Sequence, residues 1–177
     1  MTDVLTRPAV DSGRRPLRRS LVYGALLVPV GVQAMADGML GEQETAAGRW
    51  RRLGAHNVQP ESNARTFGYG LLSVVLGLTS WFLMLLLVLC VVRGPFWGFV
   101  EHGPVQPGTW GGPTRAGAWT AHGLIAVPCA VGFLFVLRGI AVLQTLLVQG
   151  TRRWVLPATI VLAAGSLAFF WSWLQQL

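Results

Sequence analysis

Residues 21–40, LVYGALLVPVGVQAMADGML, decide how many times this chain crosses a membrane. The uninterrupted apolar part runs only from Leu21 to about Val32, after which Gln33 and Asp37 break it. Crossing about 30 Å of hydrocarbon as a helix takes roughly 20 apolar residues. The stretch therefore reads as a short span or as a re-entrant segment that dips in and returns. A third reading comes from its flanks, because basic residues precede it and "AMA" stands before Asp37, the pattern of a cleavable signal peptide. Arg18 and Arg19 add a likeness to a twin-arginine signal. Pro29 and Gln33 suit an imperfect membrane helix, and an uncleaved anchor is the preferred reading.

On the N-terminal side, residues 1–20 are polar and arginine-rich, ending in RRPLRRS, and read as a disordered basic cytoplasmic tail. On the other side, residues 41–67 are polar, with Arg49, Trp50, Arg51 and Arg52 forming a basic interfacial knot. Residues 68–92, GYGLLSVVLGLTSWFLMLLLVLCVV, are the clearest transmembrane helix. A loop of proline, glycine and tryptophan follows over 93–116. As one helix, 117–150 would be about 51 Å long, more than a bilayer core covers. The span is therefore placed at 117–138, with Arg138 at the membrane boundary. The last segment, 154–176, carries Trp154 and Trp171 about 26 Å apart along a helix axis, the spacing of an aromatic belt at each face. The expected fold class is all-α: a polytopic transmembrane helical domain over 21–177 with about four apolar segments (21–40, 68–92, 117–138, 154–176), the first short or re-entrant.

Composition agrees. The chain has 177 residues, 53% hydrophobic and 12% charged, about half the charge of a soluble domain. Its formal net charge of +7 comes from arginines lying beside apolar segments, where they act as topology signals and headgroup contacts. Nucleic acid is not an expected partner. Cys90 and Cys129 show no metal-type spacing. In a hairpin closing near 93 and 117 they would stand about 5 and 18 Å below the rim, too far apart for a disulfide.

Arginine counts weigh the topologies. If all four segments cross, the tail and the 93–116 loop share one side with seven arginines, against six on the other. If the first is re-entrant, eleven arginines share the tail's side and two lie opposite. The second count obeys the positive-inside rule better and places the 93–116 loop outside.

Trp97, Glu101, His102, Trp110 and Arg115 are the candidate ligand-binding residues of that loop, joined by Trp119 and His122 at the head of the next helix. Tryptophan faces would hold an apolar ligand and the charges would orient it, while Gly111, Gly112 and Pro113 shape the turn. The plain alternative is an interfacial tryptophan belt with ordinary turn residues. His122 is a pH-sensor candidate or a histidine bonded to a neighbouring helix. Asp37 reads as an intramembrane carboxylate or as an exposed cap, and Arg138 as a snorkelling arginine. Ala164 and Ala168, one turn apart, would allow close helix approach. With no nucleophile–base pair, carboxylate pair, phosphate loop or metal spacing, neither enzyme activity, cofactor nor metal is expected.

The segments RSLVYGALLVPVGV, RWRRL, LLSVVLGLTSWFLMLLLVLCVVRGPFWGF and GGPTRAGAWTAHGLIAVPCAVGFLFVLRGIAVLQ together resemble the membrane sensor domain at the N-terminus of many actinobacterial two-component histidine kinases. That family carries a GGPS-x-x-GAW-x-x-H type segment, matched here by Gly111, Gly112, Pro113, Thr114, Gly117, Ala118, Trp119 and His122. The likeness covers about 20–145 and is firmest over 70–145. Two features depart from it: the first hairpin decays into ADGMLGEQETAAG, and a fourth apolar segment stands where a kinase would follow. The resemblance implies a non-enzymatic, stand-alone sensor or regulatory module of the plasma membrane. It would contact lipids and act through a membrane or cytoplasmic protein partner, or as a homo-oligomer. The alternative is an accessory or packing subunit of a larger membrane complex.

Overall fold

The computed structural model describes residues 17–55, 58, 62–150 and 153–175, apart from the Trp173 side chain. Six helices follow one another: α1 (Leu17–Leu40), α2 (Gln43–Arg52), α3 (Asn63–Arg93), α4 (Trp97–Val100), α5 (Arg115–Gln149) and α6 (Val155–Leu174). Among the described residues there is no strand. Four helices, α1, α3, α5 and α6, are long and apolar enough to cross a membrane, so the protein is an all-helical polytopic bundle. The ends are set locally. Ser62 caps α3 by accepting from the Arg65 amide at 3.3 Å, Thr114 caps α5 by accepting from Gly117 at 3.1 Å, and Gly150 closes α5 in the left-handed conformation.

The centre of the bundle is the antiparallel pair α1–α3. Buried positions on α1 include Ser20, Gly24, Leu27, Gly31, Ala34 and Gly38, and on α3 Thr66, Gly70, Ser73, Gly77 and Ser80. Both sets step by alternating fours and threes, the seven-residue repeat of a left-handed supercoil. Small side chains at these steps let the two backbones nearly touch. A Cβ on Gly31 would lie 2.7 Å from the Gly70 carbonyl oxygen, one on Gly70 2.8 Å from that of Gly31, and one on Gly77 2.7 Å from the Val28 nitrogen.

Pro29 sits inside α1, and its missing N–H leaves the Ala25 carbonyl without its helical donor. The Trp81 indole N–H of α3 donates to that carbonyl at 3.0 Å. The proline's deficit is thus converted into an interhelix bond. This resolves the first segment: α1 is one continuous helix of 24 residues, about 36 Å long, and neither short nor re-entrant. It begins at Leu17, so residues 17–20 belong to the helix and not to the tail. The tail proper, 1–16, lies outside the described residues.

Helix α5 packs against α1 and α3 through Ile140 and Ala141, which join Tyr23, Leu27 and Leu76 in one core. Buried Gln144 donates to the Ser73 hydroxyl, which donates in turn to the Tyr69 carbonyl at 2.7 Å. Helix α6 buries Val155, Thr159 and Ala163, one residue off the expected pair, so that Ala164 and Ala168 face outward. Trp154 and Trp171 are exposed.

The polar segment 41–67 is largely structured. Helix α2 lays Ala46, Ala47 and Trp50 against Ala34 and Val148, and Trp50 meets Tyr69 edge-on at 6.4 Å. The basic knot therefore has a buried aromatic centre. Arg49 ion-pairs with buried Asp37, while Arg51 and Arg52 remain exposed.

Register along α3–α5 corrects the expected heights of the two cysteines. Gly94, at the end of α3, packs on Ala126 and 3.4 Å from the His122 carbonyl oxygen as measured from an added Cβ. Helix α5 therefore overshoots α3 at its beginning, by a rise of about 16 Å from Arg115 to Ala126. Arg138 lies between Ala126 and the Gln144–Ser73 contact, within the region where α5 pairs with α3. The same register brings Cys90 and Cys129 to similar heights, and both are free thiols. The alternation of directions also puts the start of α1 and the 94–114 segment at one end, with α2 and the α5–α6 turn at the other. That arrangement differs from the one favoured by the arginine count, which set the 93–116 loop apart from the tail.

Two outcomes are expected. Gly31→Val or Gly70→Val should destabilise the purified chain by about 1–3 kcal/mol or more, as overpacking does, read as a lower Tm, whereas Gly132→Ala, with open space around it, should leave Tm unchanged or raised. Trp81→Phe should cost about 1–3 kcal/mol for the stranded Ala25 carbonyl, and markedly less in a Pro29→Ala background, where residue 29 regains a donor. Equal costs in both backgrounds would rule out this account of the bond.

Candidate functional site

The overshoot of α5 creates a ledge, and the 94–114 segment folds onto it. Gly94 and Pro95 turn the chain off α3, and α4 then packs its aromatic residues on the first turns of α5. Trp97 stacks on His122 with ring centroids 5.1 Å apart and planes 17° from parallel. Phe99 meets Trp119 edge-on at 5.2 Å. The Trp119 indole N–H donates to the Pro95 carbonyl at 2.8 Å. Gly98, between the two aromatic residues of α4, has no room for a Cβ because the Trp119 ring fills that space.

The polar groups of this platform hold it shut. Arg115 donates to the Gly98 carbonyl at 2.7 Å and to the Glu101 carbonyl, joining the start of α5 to the end of α4. The Glu101 carboxylate reaches Arg93 at 3.7 Å, an exposed pair worth little by itself. His122 donates from Nδ1 to the Ala118 carbonyl at 2.7 Å, a tautomer required because a carbonyl only accepts. His102 makes the same kind of bond to Val100 at 3.1 Å.

The structure thus gathers Trp97, Glu101, Arg115, Trp119 and His122, while His102 is exposed and bonded to the end of α4. Trp110 is 67% exposed, so it does not turn back over the hairpin mouth. Gly111 and Gly112 do have the positive φ angles expected of them, +95° and +88°. Gly111 also lies directly on the Gly117 backbone, whereas Gly112 has open space. Arg115 braces the loop through one of its guanidinium nitrogens.

Sequence reasoning missed Pro95, Gly98 and Phe99 as parts of this assembly. The available signal was PFWGF, a glycine spaced between aromatic residues where a ring must pass. At the far end Asp37, read as an intramembrane carboxylate or an exposed cap, is 6% exposed within a helix able to span a membrane and is tied to α2 by Arg49, so the exposed reading is the one corrected. No group of three or more potential metal ligands occurs among the described residues. What the platform offers chemically is apolar aromatic surface beside an arginine-braced turn, with no acid–base or nucleophilic constellation. No family model, curated protein or solved structure matches the chain.

Gly98→Ala should dislodge Trp119 and open the segment, read as faster limited proteolysis within 94–114 in detergent. Gly112→Ala should cost only the left-handed backbone penalty, about 1–2 kcal/mol, and Gly103→Ala should have no effect. Equal proteolysis of the Gly98→Ala and Gly103→Ala variants would show that α4 is not held by the ring contact.

Proposed function

We propose that the chain is a non-enzymatic regulatory module of the plasma membrane, relaying the state of the α4–α5 platform to a protein partner at the opposite end. The observation that carries this reading is the continuity of α5. One uninterrupted helix of 35 residues bears Trp119 and His122 in its first turns and Val148, which packs under α2, in its last. A change in how the loop sits on the ledge bears on the same helix, which continues through Pro128 and supports Trp50 beside the Asp37–Arg49 pair. The likeness of Gly111 to His122 to the sensor-domain segment is additional support from sequence. A signal arriving at the platform would be an apolar ligand or a change in the surrounding envelope, received by tryptophan and phenylalanine faces.

The second reading, an accessory or packing subunit, is favoured by the exposed apolar outer faces of α5 and α6, including Val131, Phe135, Val161 and Leu167. Those faces fit lipid equally well.

The two readings differ in whether the ends communicate. With Cys90 and Cys129 replaced by alanine, an Ala47→Cys variant places a thiol beneath α2 at a position 1% exposed, so its modification rate reports undocking of α2. Adding Arg115→Gln should change that rate by at least about fivefold, the lower end of ordinary allosteric coupling, while adding Gly103→Ala leaves it unchanged. An unchanged rate in the Arg115→Gln variant would transfer the case to the packing subunit.

A further inference from the structure

Helix α5 also carries a proline, Pro128. Its missing N–H takes the regular helical donor from the Leu124 carbonyl, as Pro29 does from Ala25. For Ala25 the bundle supplies a replacement in the Trp81 indole. Leu124 and Pro128 instead line a groove on the outer side of α5, beside the platform, with Trp119 and Thr120 about one turn above. The groove holds about 710 Å³, the size of a small-molecule site. A Cβ on Gly123, in its floor, would meet nothing within 4 Å. From these features we infer that the groove is a binding site for one uncharged lipid alcohol. Its hydroxyl donates to the Leu124 carbonyl, and its apolar chain lies over Gly123 and against Val127.

Hydrogen-bond complementarity selects this occupant. Among the described residues no charged one lines the groove, so an anionic headgroup would find no counter-charge in it. Its polar side chains have committed their protons elsewhere. The Trp119 indole N–H donates to the Pro95 carbonyl at 2.8 Å, and the Thr120 hydroxyl donates to the Ala116 carbonyl at 2.8 Å. What the groove presents is therefore two acceptors, the Leu124 carbonyl and, one turn away, the Thr120 oxygen, whose lone pairs can still accept. In an apolar setting such acceptors gain from a donor. Phosphatidylcholine has ester and phosphate oxygens but no N–H or O–H, whereas an alcohol brings one donor on an apolar body. The inference rests on the proposed reading of the platform as the receiving end, and it names the class of ligand received there.

The test is photolabelling of the full chain in mild detergent with hexadecanol bearing a mid-chain diazirine, and with the methyl ether of the same probe. The alcohol should label residues 115–128 about fivefold more than the ether, the scale of one hydrogen bond. Pro128→Ala, which returns an N–H to the Leu124 carbonyl, should erase most of that preference. Gly123→Leu should remove the labelling by filling the groove with both acceptors intact, and Gly132→Leu, further along the same helix, should retain it. Equal labelling of the wild-type chain by alcohol and ether, or an undiminished preference in Pro128→Ala, would overturn the site. So would displacement of the alcohol by phosphatidylcholine as readily as by unlabelled hexadecanol, or loss of labelling as chain concentration rises, which would assign the groove to a second copy. Labelling reads occupancy alone. A fivefold preference beside an Ala47→Cys rate that Arg115→Gln leaves unchanged would remove the relay and keep the binding site.

Discussion

The near-contact of the α1 and α3 backbones is the constraint on which the other features depend. Glycines at 24, 31 and 38 face glycines and serines at 70, 73, 77 and 80, and several admit no Cβ without displacing backbone atoms. In hydrocarbon, apolar side chains gain little by leaving lipid for one another, so helix association draws on close van der Waals packing and interhelical hydrogen bonds. This seam supplies both, the second through the Trp81–Ala25 bond. It also explains how a helix carrying Pro29, Gln33 and Asp37 persists as a single element. The proline's orphan carbonyl has a donor in α3, and Asp37 has its counter-ion in α2.

With α1 and α3 locked, the remaining elements take their positions from what the seam leaves available. Tyr23, Leu27 and Leu76 present the face on which Ile140 and Ala141 settle, and the Gln144–Ser73 bond pins the height of α5. That height leaves the first turns of α5 projecting beyond α3. The aromatic platform exists because of this mismatch in length: α4 covers a ledge that a tighter hairpin would lack. At the other end α2 folds back across the pair, and Trp50 closes the gap between α1, α3 and α5. Among the described residues, its indole N–H and the Gln144 Oε1 atom are both buried without a hydrogen-bond partner, as is the Ser20 hydroxyl on α1.

Much of the architecture was legible in the chain. Long apolar runs cannot be hydrated and must form helices with internally satisfied backbones, so the helical class and the approximate places of α3, α5 and α6 follow from hydropathy. The caps Ser62 and Thr114 and the positive-φ glycines 111 and 112 obey local rules and need no tertiary context. Arg115, Trp119 and His122 were recognisable as members of one local group because they share the start of one helix. Trp110 was grouped with them by proximity in sequence alone, and in a loop rich in glycine and proline such proximity says little about direction.

What the sequence by itself determined was therefore the solvent preference of each segment, its helical form, and those turns whose backbone angles only glycine tolerates. Tertiary structure decided the length of α1, the partner of Asp37, the height of α5 against α3, and the role of Arg115. The physical reason is common to all four. Each depends on a group supplied by another element: the Trp81 indole for the Ala25 carbonyl, Arg49 for Asp37, Ser73 for Gln144, and the α4 carbonyls for Arg115. Hydropathy scores a residue by its own transfer from water, and a polar residue scored alone ends a span. The same residue, given its partner, is part of one.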